Sequence, residues 1–336
     1  MLLIGESDAD ESKLMKLLGR VPHLGRRDDA ARAMGVTRTP GGKDIAEAEA
    51  KLWATGEARH QSVKGVVMTR DLDMDYAQHV DDRSIQVGTF PGTRLAAVVE
   101  TALAKGLGSG GVRVDVVVTP RSDLETTVLA YARGAPPGLG PAGQEDLWRR
   151  LVALAWLQQA IVWELQTDGA VVKSSVFYDD KPAPWESDAV SAARTWNDAN
   201  IRRAADAFAK ALGAESKAPA QSFPGLTLVD KRGNHVSRDH LAGALEFLER
   251  HREACEGTDG ATTGPAAALD RFARSPCGCV WTLVNGHALF RLTAALVGQA
   301  SRTLEGRVVW GMVESREIQA AAKSDPSFGA RLDKLL

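Results

Sequence analysis

The amino-acid sequence predicts an α/β domain built on a mostly parallel sheet, followed by a mainly α-helical domain. Three observations carry that expectation. Through the first 134 residues, short apolar runs alternate with segments of helical period. Two of those runs, "GVVMT" and "VDVVVT", are nearly unbroken in apolar residues, as strands covered on both faces require. Beyond the proline- and glycine-rich stretch "GAPPGLGPAG", long helical patterns take over. Seven of the 8 tryptophans lie there, from Trp148 to Trp310.

The elements follow in order. Met1–Ile4 is a short apolar strand, and Leu14, Met15, Leu17 and Leu18 then share one face of a helix over Asp10–Leu18. Between them stand the carboxylates Glu6, Asp8, Asp10 and Glu11. Asp8 or Asp10 suits the N-cap, and Asp8, Asp10 and Glu11 all suit a first helical turn. Glu6 comes too early for either role. It sits at the C-terminal end of a strand, where open α/β sheets bind ligands and metals. Strands are expected next at Gly35–Arg38, Gly65–Thr69, Ile85–Phe90 and Val112–Thr119. The matching helices are Asp44–Trp53, Thr93–Lys105 and Asp123–Tyr131. Strands separated by helix-length segments make βαβ units, with Met1–Ile4 and Gly65–Thr69 as neighbouring inner strands. "GLGSGG", at Gly106 to Gly111, follows a helix and precedes a strand, the wrong order for a dinucleotide fingerprint, and is a loop.

The chain therefore divides into residues 1–134, a linker at 135–144 and a helical domain at 145–336. Its helical patterns are "EDLWRRLVALAWLQQAIVWEL", "SDAVSAARTWNDANIRRAADAFAKAL" and "RDHLAGALEFLERHREA". Segments 212–226 and 256–267 lack apolar period and are expected to be loops. A length of 336 residues suits two cores better than one.

The net charge of −2 excludes a global basic field, so any nucleic-acid binding must come from a local patch or a bound metal. Three cysteines are too few for a disulfide framework and point to a reducing compartment. No secretory signal pattern follows Met1–Ile4, and no run reaches the ~20 apolar residues of a membrane span. A cytoplasmic protein without a membrane partner is expected.

The chemistry-bearing residues gather at strand ends. "GVVMT" runs into "RDLDMD", so Asp71, Asp73 and Asp75 alternate past the strand and can face one hard cation together. Mg²⁺ takes oxygen ligands and keeps several waters, so two or three carboxylates suffice. In "TPGGKD", Gly41 and Gly42 allow a tight turn and Lys43 projects from a helix start, where backbone amides favour an anion. Cys277 and Cys279, with His235, His240 and His287 elsewhere in that half, match no standard zinc spacing. His287 opens a strongly apolar helix and reads as a capping or packing residue. Arg202, Arg203, Arg250 and Arg252 are basic positions on helices where a phosphate backbone can rest.

A strand ending in Glu6, then Asp10 and Glu11, then "GGKD", then a strand ending in "DLD", resembles the Toprim domain. That module occurs in type IA and type II topoisomerases, bacterial primases and nucleases of the OLD and small-Toprim kinds. The resemblance is strongest to the stand-alone and defence-associated nucleases, and "TPRSDLETTVLAYA" continues it. It covers about residues 1–134. One departure is that Ser7 follows the glutamate where the family usually has glycine, with Gly5 on its other side.

The resemblance implies a Rossmann-like sheet and a Mg²⁺- or Mn²⁺-dependent nuclease, in a setting of defence against foreign DNA. Glu6, Asp71 and Asp73 would be catalytic, and the same three with Asp75 and Glu125 would hold metal. Lys43, and in the helical domain, beyond the reach of the resemblance, the basic positions Arg202, Arg203, Arg250 and Arg252, are the expected contacts if nucleic acid binds. The alternative is a non-catalytic Toprim-like scaffold or regulatory subunit of a larger nucleic-acid complex, with a protein partner.

Overall fold

The computed structural model describes residues 1–20, 43–58, 63–72, 92–108, 110–121, 123–132, 145–167, 183–215, 227–229, 235–237, 240–256, 264–274 and 284–336. They fall into two compact units: Met1–Arg133 together with Val309–Leu336, and Gly134–Val308. The expected strands at 35–38 and 85–90, and the linker at 135–144, lie outside the described residues.

The first unit holds three parallel strands in the order β1 (Leu2–Ile4), β2 (Val66–Arg70), β3 (Val114–Val118). Leu2 stands opposite Val66, and Val66 opposite Val114. β1 and β2 are thus neighbours, as their apolar character predicts, with β2 in the middle of the described three. All residues of β1 and β2 are buried, so both sheet faces are covered. Among the described residues, four helices belong to this stretch of chain: α1 (Asp8–Leu17), α2 (Lys43–Thr55), α3 (Gly92–Leu107) and α4 (Leu124–Ala132). Leu2, Ile4 and Val66 pack with Ala46 and Trp53 of α2 in one apolar cluster.

The loop after α3 returns to β3 by lying against the end of α2. Gly111 donates to the Ala54 carbonyl at 2.7 Å, and Val112 to the Trp53 carbonyl at 3.0 Å. A Cβ on Gly111 would stand 2.2 Å from the Trp53 oxygen, so only glycine permits this approach.

α1 begins differently from expectation. Ser7, not Asp8 or Asp10, is the N-cap, and its hydroxyl accepts from the Asp10 amide at 3.2 Å. It also donates to Asp10 Oδ2 at 2.5 Å, so the cap and the third helical residue hold each other. Ser7, the residue after Glu6, is therefore a capping residue. Glu11 turns back instead of facing solvent, and accepts from the Gly5 amide at 2.9 Å. A Cβ on Gly5 would meet Glu11 Cγ at 3.0 Å, which explains the glycine before Glu6.

The boundary at 145–336 differs from the structure at its far end. The last segment belongs to the first unit, where it forms α12 (Arg316–Ser324) and α13 (Gly329–Leu335). Arg331 donates to the Val116 carbonyl at 3.0 Å and pairs with Glu100, which accepts from the Val118 amide at 2.9 Å. These side chains occupy β3's outer polar edge, which an open strand would otherwise present to solvent. Trp310 also belongs here, with the Lys16 ammonium 5.1 Å from its ring centre.

The second unit is mainly helical: α5 (Glu145–Thr167), α6 (Pro184–Arg194), α7 (Asp198–Glu215), α8 (His240–Glu256), α9 (Pro265–Ala273) and α10 (Gly286–Val297), then most of α11 (Ser301–Val313). Its core includes Trp156, Trp185, Phe208, Phe272 and Phe290, all fully buried. The pattern expected as one long helix from 187 to 212 breaks at Thr195, because Asn197 accepts from the Asn200 amide at 2.9 Å and starts a new helix. A small antiparallel hairpin, β4 (Thr227–Val229) with β5 (His235–Ser237), was not expected from the sequence. Its signal was "DKRGN" between two apolar-alternating runs. α9 begins inside the segment 256–267, which had been expected to be a loop. His287 packs as its position predicts. Asn285 caps α10, and His287 Nδ1 meets Glu305 at 2.9 Å.

Among the described residues, no helix is long and apolar enough to cross a membrane.

Candidate active site

β1 and β2 run parallel and side by side, so the residues after each emerge at the same sheet edge. Glu6 follows β1 and Asp71 follows β2. Glu6 Oε1 accepts from the Asp71 backbone amide at 3.2 Å, which ties the two strand ends together. The role that capping could not give Glu6 is this one. β3 contributes Thr119, whose amide donates to the Arg70 carbonyl at 2.9 Å and whose hydroxyl accepts from the Leu72 amide at 3.0 Å. Three strand ends are thereby locked in one plane of hydrogen bonds.

A cleft opens among them, lined by Glu6, Asp10, Thr69, Arg70, Asp71 and Thr119. Its volume is about 10 Å³, room for a single water or a single ion. Arg70, which also lines the cleft, is buried, with its guanidinium paired with Glu47 of α2.

Asp10 lies in the first turn of α1, as its position predicts, and it also lines the cleft, with its side chain only 25% exposed. Lys13, one turn later, lies 3.4 Å from Asp10 and 2.7 Å from Glu125. Burial, and then the Glu125 carboxylate, push the Asp10 carboxyl above its ordinary value, while Lys13 and the Ser7 hydroxyl pull the other way. The available signal was the spacing Ser7-x-x-Asp10-x-x-Lys13, which sets all three on one face of α1.

The expected site residues separate into groups. Glu6 and Asp71 come together. Asp73 and Asp75 lie outside the described residues. Glu125, expected as a metal ligand, is 3% exposed at the start of α4 and paired with Lys13. It does not line the cleft. Among the described residues, no three or more of the His, Cys, Asp and Glu side chains gather as a metal centre. Glu6 and Asp71 nonetheless supply hard oxygen donors beside a space of ionic size, and Mg²⁺ is commonly held by one or two carboxylates plus substrate phosphate.

The basic positions divide too. Arg202 and Arg203 are exposed on α7. Arg252 is 1% exposed and donates to Glu249 at 2.8 Å, so it is an interior residue and corrects the expectation of a phosphate contact. That hydrogen bond holds the Glu249 carboxyl below the usual carboxylate range. The helical period carries the signal of this burial, because Arg252 falls four residues after Leu248 on the side of α8 that buries Leu241 and Ala244. Lys43 opens α2 and Arg250 lies within α8, their side chains outside the described residues.

Compared with family models, with curated proteins and with solved structures, the chain matches none of them.

Proposed function

We propose that the first unit is a Toprim-type phosphodiesterase that cleaves nucleic acid with the help of Mg²⁺ or Mn²⁺. One observation carries the reading: Glu6, Asp10 and Asp71 meet at one ion-sized cleft on the C-terminal edge of a parallel sheet. That edge is where open α/β sheets place their ligands. The family pattern of a strand-end glutamate, "GGKD" and "DLD" supports the same reading.

Glu6 and Asp71 would hold the metal, joined by Asp73 from the same segment. A bound divalent ion supplies positive charge to phosphodiester oxygens and makes a neighbouring water more acidic. The chain's own groups supply the rest. The Asp71 amide fixes Glu6 Oε1, and the Thr119 hydroxyl fixes the turn after β2. Asp10 keeps a proton to higher pH than an ordinary carboxyl and can exchange it at the cleft. Arg202 and Arg203, exposed in the helical unit, are the proposed contacts to the nucleic-acid backbone.

Purified protein should cleave single- or double-stranded DNA, or RNA, in Mg²⁺ or Mn²⁺ and lose all cleavage in EDTA. Asp71→Ala and Glu6→Gln should each lower the rate by about 100-fold or more with an unchanged circular dichroism spectrum. Cleavage that survives EDTA, or either variant at the wild-type rate, would rule the reading out. Replacing Arg202 and Arg203 together by alanine should flatten the salt dependence of binding by roughly one unit per lost phosphate contact. An unchanged slope would remove them from the interface.

A further inference from the structure

We propose that a second cavity in the first unit, between α4 and the turn joining α12 to α13, binds a nucleoside monophosphate. In this assignment Arg121 holds the phosphate, and Asp325 with its hydroxyl neighbours holds the ribose. The inference does not rest on the phosphodiesterase reading.

The cavity measures about 420 Å³, within the range of small-molecule sites and far larger than the ion-sized cleft. Arg121, Tyr131, Ser324, Asp325, Pro326 and Ser327 line it. Its frame is fixed from both sides. The Thr119 hydroxyl donates to the Arg121 carbonyl at 2.9 Å, which sets the loop after β3. Across the cavity, Asp325 Oδ2 accepts from the Tyr131 hydroxyl at 2.8 Å. Asp325 Oδ1 accepts from the Ser327 amide at 2.8 Å and the Ser327 hydroxyl at 2.5 Å. Burial, and then Asp325, push the Tyr131 phenol far up, so it stays a donor to that carboxylate at any ordinary pH.

Counting lone pairs defines the ligand. A carboxylate offers about four acceptor sites, and three are taken, so one remains at Oδ2 for an incoming hydroxyl. The hydroxyls of Tyr131, Ser324 and Ser327 spend their protons on Asp325 or on the Ala321 carbonyl, and keep lone pairs for further donors. That side of the cavity thus asks for a ligand rich in hydroxyl groups. Arg121 asks for an anion. Its hydrogen bond to the Pro120 carbonyl, at 3.3 Å, uses one of five guanidinium donors, and no carboxylate of the described residues lies within ion-pair distance of it. Pro326 with Ala130 and Ala321 supplies an apolar wall for a flat base. A phosphate, a ribose and a base satisfy all three requirements at once.

The test is isothermal titration calorimetry on the full chain in EDTA, with AMP, UMP, adenosine, ribose phosphate and inorganic phosphate as probes. AMP and UMP should bind saturably at one site per chain. Adenosine, ribose phosphate and inorganic phosphate should each bind at least about tenfold more weakly, as expected when a charge-assisted contact or the base is lost. Arg121→Gln should weaken AMP by about tenfold or more. Arg121→Lys, which keeps the charge without the fork, should weaken it less, with melting temperatures measured alongside. The absence of saturable AMP binding would overturn the proposal. So would adenosine, ribose phosphate or inorganic phosphate binding as tightly as AMP. AMP affinity lost in Glu6→Gln but retained in Arg121→Gln would place the nucleotide in the other cleft and overturn it as well.

Discussion

Each unit buries an ion pair, and the two pairs differ in their surroundings. In the helical unit, Arg291 donates to Glu186 at 2.6 Å, and its guanidinium lies 5.3 Å from the Trp185 ring centre. Arg291 is 3% exposed and Glu186 6%, deep among tryptophan and apolar helices. In the first unit, Lys13 faces Glu125 at 2.7 Å and Asp10 at 3.4 Å, beside the cleft. Burial, and then the Glu125 carboxylate, push the Asp10 carboxyl up, and Lys13 offsets only part of this. Burying a charge is by itself a packing event. A raised carboxyl at a cleft is a chemical one, because groups poised to exchange protons are made by burial and like charge together.

The largest effect should come from breaking the pair in the helical unit. Arg291→Ala strands Glu186 in the core and should cost about 3–5 kcal/mol in chemical denaturation. Exchanging both partners for apolar residues of similar size should recover most of that loss. A cost near that of a surface substitution would mean that water reaches the pair.

Lys13→Met should cost less, about 2 kcal/mol near neutral pH, because Asp10 can take up a proton where Glu186 has no such neighbour. The sign follows from the raised carboxyl. Between its ordinary value of 3.8 and its folded value, the native state binds a proton that the unfolded chain releases, so stability falls as pH rises through that window. Removing Lys13 pushes Asp10 higher still. The deficit of the variant should therefore shrink when unfolding is measured at about pH 5 instead of about pH 7.5. A deficit independent of pH would show that Lys13 acts through packing alone.

The smallest effect sharpens the comparison. Ser7→Ala removes the cap of α1 and one of the groups that hold Asp10, and should cost about 1 kcal/mol. Its cost should also change with pH, since the Ser7 hydroxyl stabilises the charged form of Asp10. Ser7→Gly, which keeps a residue tolerated at a helix N-cap, should restore part of the stability but not that pH dependence. Equal pH profiles for alanine, glycine and serine would separate the cap from the cleft.

Much of this was legible in the sequence. Unbroken apolar runs gave β1 and β2 as buried neighbours, because only strands covered on both faces carry such runs. Apolar residues at helical period marked most of the helices, and the position of Glu6 ahead of any cap marked it for the sheet edge. Arginine exposure was legible only from the apolar stripes: Arg252 stands four residues after Leu248 on the buried side of α8, whereas Arg202 and Arg203 stand off the side of α7 that buries Ile201, Ala205, Phe208 and Leu212.

What the sequence determined by itself is local: strand and helix character, and an acid at each of two strand ends. Only the tertiary structure decided the rest. It joined Glu6 to the Asp71 amide across 65 residues of chain. It turned Glu125 toward Lys13, 112 residues earlier, and away from the cleft. It brought Arg331 and Glu100 onto the polar edge of β3, so that the end of the chain completes the first unit. The physical reason is common to all three. Backbone period is set by neighbours along the chain, whereas the partner of a buried charge or an open strand edge is whichever group the packed fold brings within about 3 Å.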